Sequence, residues 1–459
     1  MEIITFINDH ILGYVLMSAL ILTGIYFTIA TRFVQFVRPK EMLKLMIAGA
    51  DGDKDKHHIS PFQAFAISTA SRVGTGNIAG VAIAITTGGP GAIFWMWAIA
   101  LVGAASAFAE STLAQIYKVR NEKNFHGGPA YYIRTALKNK PLAVAFSISL
   151  ILTFPLVFNS VQSNTIAQSL QTTFHVSPTI TGIALAALTA LIIFGGLKRI
   201  AHFSAVIVPV FAIAYILVTF IVTLLNIEKL PHVLALIFQD AFSWQKIMGG
   251  AWGATIMIGA RRGLFSNEAG MGSAPNAAAT AHTSHPIKQG YVQAFSVFID
   301  TLVICSCTAF IVLLSDCVGN GAEGIALTQQ ALMQTLGKGG NYFISASVLL
   351  FAFTSIIGNY YYGQANIEFL SRKKSVMFAF RCFVSIMIFL GAIMQLQSVW
   401  NLADLCMTFM ALINIYAILK LRKHVLLALN DYRQQKKEGK NPVFSAKNVP
   451  EIKDTSAWN

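Results

Sequence analysis

Long apolar stretches recur along nearly the whole chain, and most of them are roughly 20 to 28 residues long. A helix needs about 20 apolar residues to cross the hydrocarbon core of a membrane. A membrane β-barrel would instead repeat segments of about 10 residues with alternating polarity. The pattern therefore predicts an all-α integral membrane protein. We expect eleven transmembrane helices, at residues 11–37, 60–86, 91–117, 141–170, 178–197, 200–225, 247–280, 288–315, 340–366, 376–394 and 398–420.

Two of the predicted spans, 60–86 and 247–280, are interrupted by glycine and small polar residues. If the first helix is set aside, the other ten form two groups of five, at about 60–225 and 247–420. Each group begins with an interrupted helix. Because five crossings is an odd number, the second group enters from the opposite side, which is the inverted repeat of many secondary transporters. We therefore predict one transmembrane transporter domain over residues 1–423.

The composition agrees with a membrane protein, with 55% hydrophobic and only 12% charged residues. Ordinary soluble domains carry about 25% charged residues. The net charge of +14 comes from basic residues clustered in alternate loops, so membrane orientation explains it better than nucleic-acid binding. Basic loops stay in the cytoplasm, which predicts an external N-terminus and a cytoplasmic C-terminus.

Three segments outside the spans carry further predictions. The polar, lysine-rich residues 424–459 are expected to form a basic cytoplasmic tail with little fixed structure. Residues 226–246 are expected to form an external amphipathic helix. Residues 316–338 are expected to lie outside as well, over the mouth of a pathway.

Several functional classes are disfavoured by what the sequence lacks. It has five cysteines, an odd number mostly within apolar segments, which argues against a disulfide framework. The sequence contains no G-x-x-x-x-G-K-[ST], no H-E-x-x-H and no G-x-S-x-G motif. We therefore expect neither an ATP-driven pump nor a membrane enzyme, and no cofactor. A channel would need a continuous polar path, whereas two broken helices that meet favour an occluded binding site.

The first interruption reads SRVGTGNIAG over residues 71–80. Glycines 74, 76 and 80 are poor helix formers, each costing about 1 kcal/mol relative to alanine. A break here would free carbonyl groups for a cation and amide groups for a carboxylate. Small residues also allow close helix packing, and the spacing alone leaves both interpretations open.

The second interruption covers residues 249–255 and continues as GLFSNEAGMGSAP over residues 263–275. It is too long and too polar for a helix that faces lipid. Trp252, beside glycines, is either a flat wall over a small ligand or an aromatic residue of the core.

The segment at 263–275 resembles the signature of the alanine or glycine:cation symporter family. GTGNIAG at 74–80, GGPGAIFW at 88–95 and GGPAYY at 127–132 agree with it, and the resemblance extends from about residue 10 to about 420. The family is similar in fold to the bacterial leucine transporter. The resemblance implies sodium-driven alternating access for alanine, glycine or a close relative such as serine or glutamine, in the inner membrane of a bacterium. Proton coupling, with Asp300 or Glu110 as carrier, is the main alternative.

The resemblance also implies a sodium site. In the leucine-transporter fold a central sodium ion lies between the first and eighth helices of the repeats, and the span 340–366 is the eighth here. The matching ligands are the carbonyls of Ala70, Val73 and Phe351 and the hydroxyls of Thr354 and Ser355. These are hard, uncharged oxygen donors that suit a sodium ion. The alternative is that both hydroxyls bond back to their own helix.

For the amino acid, we expect Thr75, Gly76 and Asn77 to face the carboxylate. Gln162, on a polar stripe of the span 141–170, is the candidate for holding the amine or, alternatively, for joining helices. The pocket for the side chain would be closed by Trp252, Thr255 and Met257. An inner gate is predicted from an ion pair of Arg72 or Arg262 with Glu268, because a buried charge without a partner is costly.

Overall fold

The computed structural model describes residues 13–47, 59–120, 125–194, 197–248 and 252–458. Helices make up most of it, and a short antiparallel hairpin pairs β1 (Val119–Arg120) with β2 (Phe125–His126). The helices before the second interruption are α1 (Gly13–Ala30), α2 (Val34–Val37), α3 (Pro39–Ile47), α4 (Pro61–Arg72), α5 (Val81–Gly88), α6 (Gly91–Ile116), α7 (Pro129–Thr135), α8 (Lys140–Ile151), α9 (Asn159–Phe174), α10 (Pro178–Ile193), α11 (Leu197–Leu225), α12 (Leu230–Ala241) and α13 (Trp244–Met248). The others are α14 (Trp252–Asn267), α15 (Pro275–Ala278), α16 (Pro286–Phe298), α17 (Ser306–Leu313), α18 (Gly324–Leu370), α19 (Lys374–Ile393), α20 (Leu396–Lys420) and α21 (Arg422–Lys437).

The protein is an integral membrane protein. Within the described residues, eight helical runs are long and apolar enough to cross a membrane. They are Gly13–Ala30, Gly91–Ile116, Lys140–Phe174, Val206–Leu225, Pro286–Leu313, Gly324–Leu370, Lys374–Ile393 and Leu396–Lys420. The runs Gly76–Gly88 and Pro178–Ile193 are apolar but shorter. Every predicted span contains a helix, while the count of eleven crossings stays a prediction.

The outer helices expose apolar side chains where a soluble protein would expose polar ones. In the most apolar stretch of α11 only 22% of the residues are buried within the molecule, and in that of α19 only 28%. Phe220 on α11 and Phe378 on α19 are each 59% exposed. Outward-facing apolar surface of this extent is favourable only against lipid.

In the part of the chain that the structure describes, three helical runs contain a wider π turn. These turns are Gly76–Gly80, Leu152–Phe158 and Ile299–Cys305. The second contains Pro155, which lacks an amide hydrogen and cannot continue the regular α-helical pattern. The long helix α18 is kinked at Gly337, where φ is 64° and ψ is −154°, so the predicted span 340–366 is its second arm.

The end of the chain corrects a prediction. Residues 424–459 were expected to have little fixed structure, but α21 occupies Arg422–Lys437 and buries Val425, Ala428, Leu429 and Tyr432. These positions are spaced i, i+3, i+4 and i+7, the pattern of one apolar helix face. Beyond α21, Phe444 and Ile452 are buried too. The high lysine content concealed an amphipathic pattern. Residues 226–246 are helical as predicted, in α12 and α13.

Candidate functional site

The first interruption is a true break in the helix. After Arg72, Val73 adopts an extended conformation with ψ of 93°, and helical structure resumes at Thr75. The amide of Gly74 donates to Oδ1 of Asn77 at 2.9 Å, and the amide of Asn77 donates to the Gly74 carbonyl at 3.2 Å. In a continuous α-helix these two amides would bond to the carbonyls of Ala70 and Val73. The break therefore redirects two amides away from two predicted sodium ligands.

The predicted sodium ligands come together between α4 and α18. The hydroxyl oxygen of Ser355 lies 2.8 Å from the carbonyl oxygen of Ala70, 3.3 Å from that of Val73 and 3.0 Å from that of Phe351. The hydroxyl of Thr354 donates to the Phe351 carbonyl at 2.8 Å. A hydroxyl carries one hydrogen, so it cannot satisfy three carbonyl oxygens at once. The cluster is buried and rich in uncharged oxygen, which suits a small cation.

The hydroxyls also form the bonds that the alternative interpretation predicts. Thr354 bonds within its own helix, to the residue three positions earlier, and Ser355 contacts the carbonyl four positions earlier. Ser355 additionally reaches across to α4, which a purely local bond would not explain. Thr354 thus shows only the bond within its own helix, whereas the contacts of Ser355 also fit the predicted sodium site.

Gln162 contacts Thr75 at the first break. Its Oε1 accepts hydrogen bonds from the Thr75 amide at 2.9 Å and from the Thr75 hydroxyl at 2.6 Å. These are the donors that the sequence predicts for a carboxylate. A substrate carboxylate can reach them only if the Gln162 side chain turns aside. The contact joins the broken helix to α9.

Asn77 and Gly76 have structural contacts instead of an open face. Nδ2 of Asn77 donates to Oδ1 of Asp300 at 2.8 Å, and its carbonyl accepts from Thr308 at 2.6 Å. A side chain at Gly76 would approach Phe265 to 2.9 Å. The polar groups of Asn77 thus hold the broken helix to α17 and to the π turn before it.

Of the residues expected to close the side-chain pocket, Thr255 does not lie at this cluster. Thr255 donates to the carbonyl of Gly88 at 3.0 Å, about 12 residues beyond Gly76, or roughly 18 Å along a helix. The sulfur of Met257 contacts Arg261 at 3.4 Å. The side chain of Trp252 lies outside the described part of the chain. Sequence proximity to the second break did not imply spatial proximity to the first.

Aromatic residues that the sequence analysis did not select border the cluster. The Phe265 ring lies 4.4 Å from that of Phe158 and 4.6 Å from that of Trp400, between ring centroids. Phe158 precedes Gln162 by one helical turn, and a side chain at Gly80 would meet Trp400 at 3.5 Å. Phe265 falls within the family signature, which is the only signal that could have found it.

The second break is held by buried carboxylates. The chain turns repeatedly after α14, with positive φ at Glu268, Gly270 and Gly272. The Glu110 carboxylate accepts from the amides of Gly270 at 3.2 Å and Gly272 at 3.0 Å, and Nδ2 of Asn414 adds a third bond at 2.7 Å. Glu110 thereby satisfies backbone amides that a broken helix leaves without partners.

Glu268 connects the two breaks. Its carboxylate accepts from the hydroxyl of Ser71 at 2.7 Å and from that of Ser273 at 2.6 Å. Arg72 is buried, and its guanidinium has no hydrogen-bond partner among the described residues. The predicted Arg72–Glu268 ion pair is therefore not formed in this structure.

Arg262 is paired differently from the prediction. It forms a buried ion pair with Asp404 on α20, and its guanidinium lies 4.6 Å from the centroid of the Trp400 ring. The start of α14 contacts Gly88 at the end of α5, whereas the end of α4 contacts Glu268 beyond α14. The two broken helices are thus antiparallel, and Arg262 lies on the opposite side of the breaks from Arg72. The predicted ion pair of Arg262 with Glu268 is therefore not formed.

Comparison with known proteins decides the family. The model of the sodium:alanine symporter family matches residues 1–446. The chain belongs to this family. A probable sodium/glutamine symporter, GlnT of Bacillus subtilis (strain 168), is 52% identical over 96% of this chain and 93% of its own length. The amino-acid carrier protein AlsT of the same organism is 50% identical over 98% of this chain and 96% of its own length. A sodium/proton-dependent alanine carrier protein of Bacillus sp. (strain PS3) is 35% identical over 91% of this chain and 97% of its own length.

Membership of the sodium:alanine symporter family confirms the resemblance found in the sequence. The chain is a multi-pass membrane carrier, and the family couples amino-acid transport to a cation. The site described above lies where two broken helices of this carrier meet.

Proposed function

We propose that this symporter takes up a small neutral amino acid together with sodium by alternating access. The observation that carries the proposal is the cluster around Ser355, where three backbone carbonyls surround one hydroxyl between α4 and α18. Five uncharged oxygens, with Thr354 included, would hold a monovalent cation without adding a buried net charge. A sodium ion there would bridge a broken helix and a continuous one.

The proposed substrate follows from the uncharged surroundings of Thr75. Gln162 contacts Thr75, and Phe158 and Phe265 lie beside Gln162 and Gly76. A neutral amide could accept from a substrate amine once it leaves Thr75, whereas an extra side-chain charge would lack a partner. The names of the relatives include glutamine and alanine, and alanine, glycine, serine and glutamine all fit this class.

The proposed architecture has eleven crossings, with repeats at about 60–225 and 247–420 and a leucine-transporter type of fold. The antiparallel broken helices support the inverted repeat. We place the N-terminus outside and the C-terminus inside, in the inner membrane of a bacterium, because the basic loops alternate. Surrounding membrane lipid and a bundle that rocks about the central site complete the scheme.

Two sets of charged residues could gate this site from opposite sides. Arg72 and Glu268 lie on the side of α4 that we take as inner, and Glu268 is held by Ser71. Arg262 and Asp404 pair on the other side of the breaks, beneath which lies Phe265. Alternating access requires that closing contacts on the two sides exchange, and ion pairs of this kind can form and separate as the bundle moves.

Proton coupling is a second candidate because of Asp300. This buried carboxylate accepts from Asn77 at the first break and from Ser266, 2.7 Å away, at the second. A change in its charge would act on both broken helices. One relative is named a sodium/proton-dependent alanine carrier, which supports keeping this candidate.

Uptake into proteoliposomes distinguishes the two coupling ions. Radiolabelled alanine, glycine and glutamine would be supplied under an inward sodium gradient, an equal potassium gradient or an inward proton gradient. The proposal predicts accumulation only with sodium, unaffected by a proton uncoupler at fixed membrane potential. Accumulation with potassium outside that an uncoupler abolishes would replace sodium with the proton.

A further inference from the structure

A cavity of about 520 Å³ opens at the end of the molecule where the N-terminal segment meets the chain's last helix. We call it the basic pocket. It is lined by residues of α3, by the start of α16 and by α21 with the turn that follows. The residues are Lys40, Glu41, Lys44, Leu45, Lys288, Tyr432, Lys436, Gly439, Lys440 and Asn441. Nothing in the transport site described above uses this pocket.

The charges of the basic pocket are not balanced. Five lysines and one glutamate line it, which gives a formal sum of five minus one, or +4. The carboxylate of Glu41 is already bonded to Arg38 at 2.9 Å and to Lys436 at 2.8 Å. Lys440 pairs with Glu438 at 2.7 Å, so the excess positive charge comes chiefly from Lys40 and Lys44. Lys40 and Lys44 have no ion-pair partner in the part of the chain that the structure describes. Like charges gathered around one cavity repel each other, and an anion would relieve that repulsion.

An apolar groove continues from the pocket along α3. It has a volume of about 340 Å³ and is lined by Lys40, Leu43, Lys44 and Ile47. Leu43 and Ile47 are exposed, while Met42 is buried against the protein. The helix thus presents lysines and apolar side chains to the same surroundings, as helices at a membrane surface do.

The position of α3 agrees with a membrane surface. It begins nine residues after the membrane span Gly13–Ala30 ends, and the intervening Phe33, Phe36 and Val37 are exposed. Lysine side chains beside such apolar groups can lie along lipid tails while their ammonium groups reach the headgroups. The basic pocket therefore lies where lipid headgroups are available.

We propose that the basic pocket binds the phosphate of an anionic phospholipid, with the acyl chains along Leu43 and Ile47. The pocket supplies charge for the phosphate and the groove supplies apolar contact, a combination that a soluble phosphate would not use. The bound lipid would bridge α3 to Lys440 after α21 and to Lys288 at the start of α16. It would thereby hold the two ends of the chain against a helix that follows the second break.

The test measures lipid retained by the purified full-length protein with native mass spectrometry. The protein is exchanged into detergent containing phosphatidylglycerol or phosphatidylcholine, and the variant is K40Q/K44Q. The matched control is K373Q/K374Q, which removes the same charge from two exposed lysines at the start of α19. We expect wild type and control to retain phosphatidylglycerol in preference to phosphatidylcholine. The pocket variant should bind phosphatidylglycerol about 30-fold more weakly, since about 1 kcal/mol per lysine corresponds to roughly a fivefold loss for each of the two.

Competition with glycerol phosphate separates a lipid from a free phosphate. The proposal predicts that millimolar glycerol phosphate leaves the phosphatidylglycerol adduct in place, and that L43S/I47S weakens it. Displacement by glycerol phosphate would mean a site for soluble phosphate and would overturn the lipid assignment. Equal retention by K40Q/K44Q and K373Q/K374Q, or equal retention of both lipids, would overturn the site itself. Sodium-driven uptake is measured separately, so neither result depends on the coupling ion.

Discussion

Gly74 stands at the tightest point of the site. A β-carbon there would lie 2.2 Å from the hydroxyl oxygen of Ser355 and 2.9 Å from Oε1 of Gln162. Real contacts of that kind do not occur below about 3 Å, so a side chain at position 74 must separate α4 from α18 or displace Gln162. Because Gly74 has no β-carbon, the proposed cation and substrate positions can lie next to each other.

Replacing Gly74 with alanine should therefore abolish uptake while the protein still inserts. The expected loss is at least 100-fold in the initial rate, because both the Ser355 cluster and the Gln162 contact must move. Gly80→Ala on the same broken helix is the control, since a β-carbon there meets only ordinary contact at 3.5 Å from Trp400. Initial rates at matched membrane levels measure the difference. Equal rates for both variants would contradict the packing described at Gly74.

At this scale the sequence predicted residue types better than contacts. The motif at 74–80 and the hydroxyl pair Thr354–Ser355 located the oxygen cluster, because a matched family motif carries position as well as chemistry. The sequence did not reveal that Gln162 would bond to Thr75, or that Arg262 would pair with Asp404. Those contacts join helices more than 80 residues apart, and no local pattern specifies which polar residues will face each other.

Among the elements, the end of the chain is tied to the transporter by a buried lysine. Nζ of Lys118, after α6, donates to Gln115 at 2.8 Å and to the Ala281 carbonyl at 3.0 Å. It also lies 4.7 Å from the Trp458 ring and 4.1 Å from that of Phe125. Burial lowers the pKa of Lys118 to about 7. The charge of this lysine is therefore sensitive near neutral pH.

The shifted pKa predicts how stability changes with pH. The unfolded chain keeps the Lys118 proton up to about pH 10.4, whereas the folded protein releases it near pH 7. Between these values the unfolded state binds more protons, so raising the pH stabilises the folded protein by up to about 1.4 kcal/mol per unit. From pH 7 to 9, wild type should gain thermal stability relative to Lys118→Met. Lys373→Met, at an exposed site, serves as the control, and parallel pH profiles for all three proteins would argue against the shifted pKa.

The breaks were the most predictable elements because glycine is costly in a helix. The π turns at Leu152–Phe158 and Ile299–Cys305 were not predicted, because Pro155 in the first marks a departure from the regular α-helix without specifying its form, and the second contains neither glycine nor proline. The structured end of the chain was missed for a different reason. Its lysines dominate the composition, while Phe444 and Ile452 are isolated apolar residues whose partners lie far away in sequence.

In the whole molecule, the C-terminal end of the chain is attached to only some of the helices. The C-terminal residues bond to Gln115 through Trp458 and to Ser284 through the amide of Phe444, at 2.8 Å each. Tyr432 also bonds to Glu41 at 2.5 Å. These contacts join the chain end to α3, α6 and the segment before α16.

The central claim is that sodium binds between α4 and α18, and its most direct test is the sodium dependence of uptake in Thr354→Ala and Ser355→Ala. Each change removes one neutral oxygen but leaves the carbonyls, so a loss of about 1–3 kcal/mol should raise the half-saturating sodium concentration roughly 5- to 150-fold. Saturating sodium should restore much of the rate. High amino acid should in turn strengthen sodium binding, since coupling is reciprocal.

Ser347→Ala is the matched control, because among the described residues this buried serine of α18 bonds only to the Phe343 carbonyl of its own helix, at 2.8 Å. Uptake is measured across sodium concentrations at equal membrane levels for all four proteins. We predict an increased sodium requirement for Ser355→Ala and Thr354→Ala and an unchanged one for Ser347→Ala. An unchanged requirement in both site variants, or an equal shift in the control, would contradict a sodium site at this cluster.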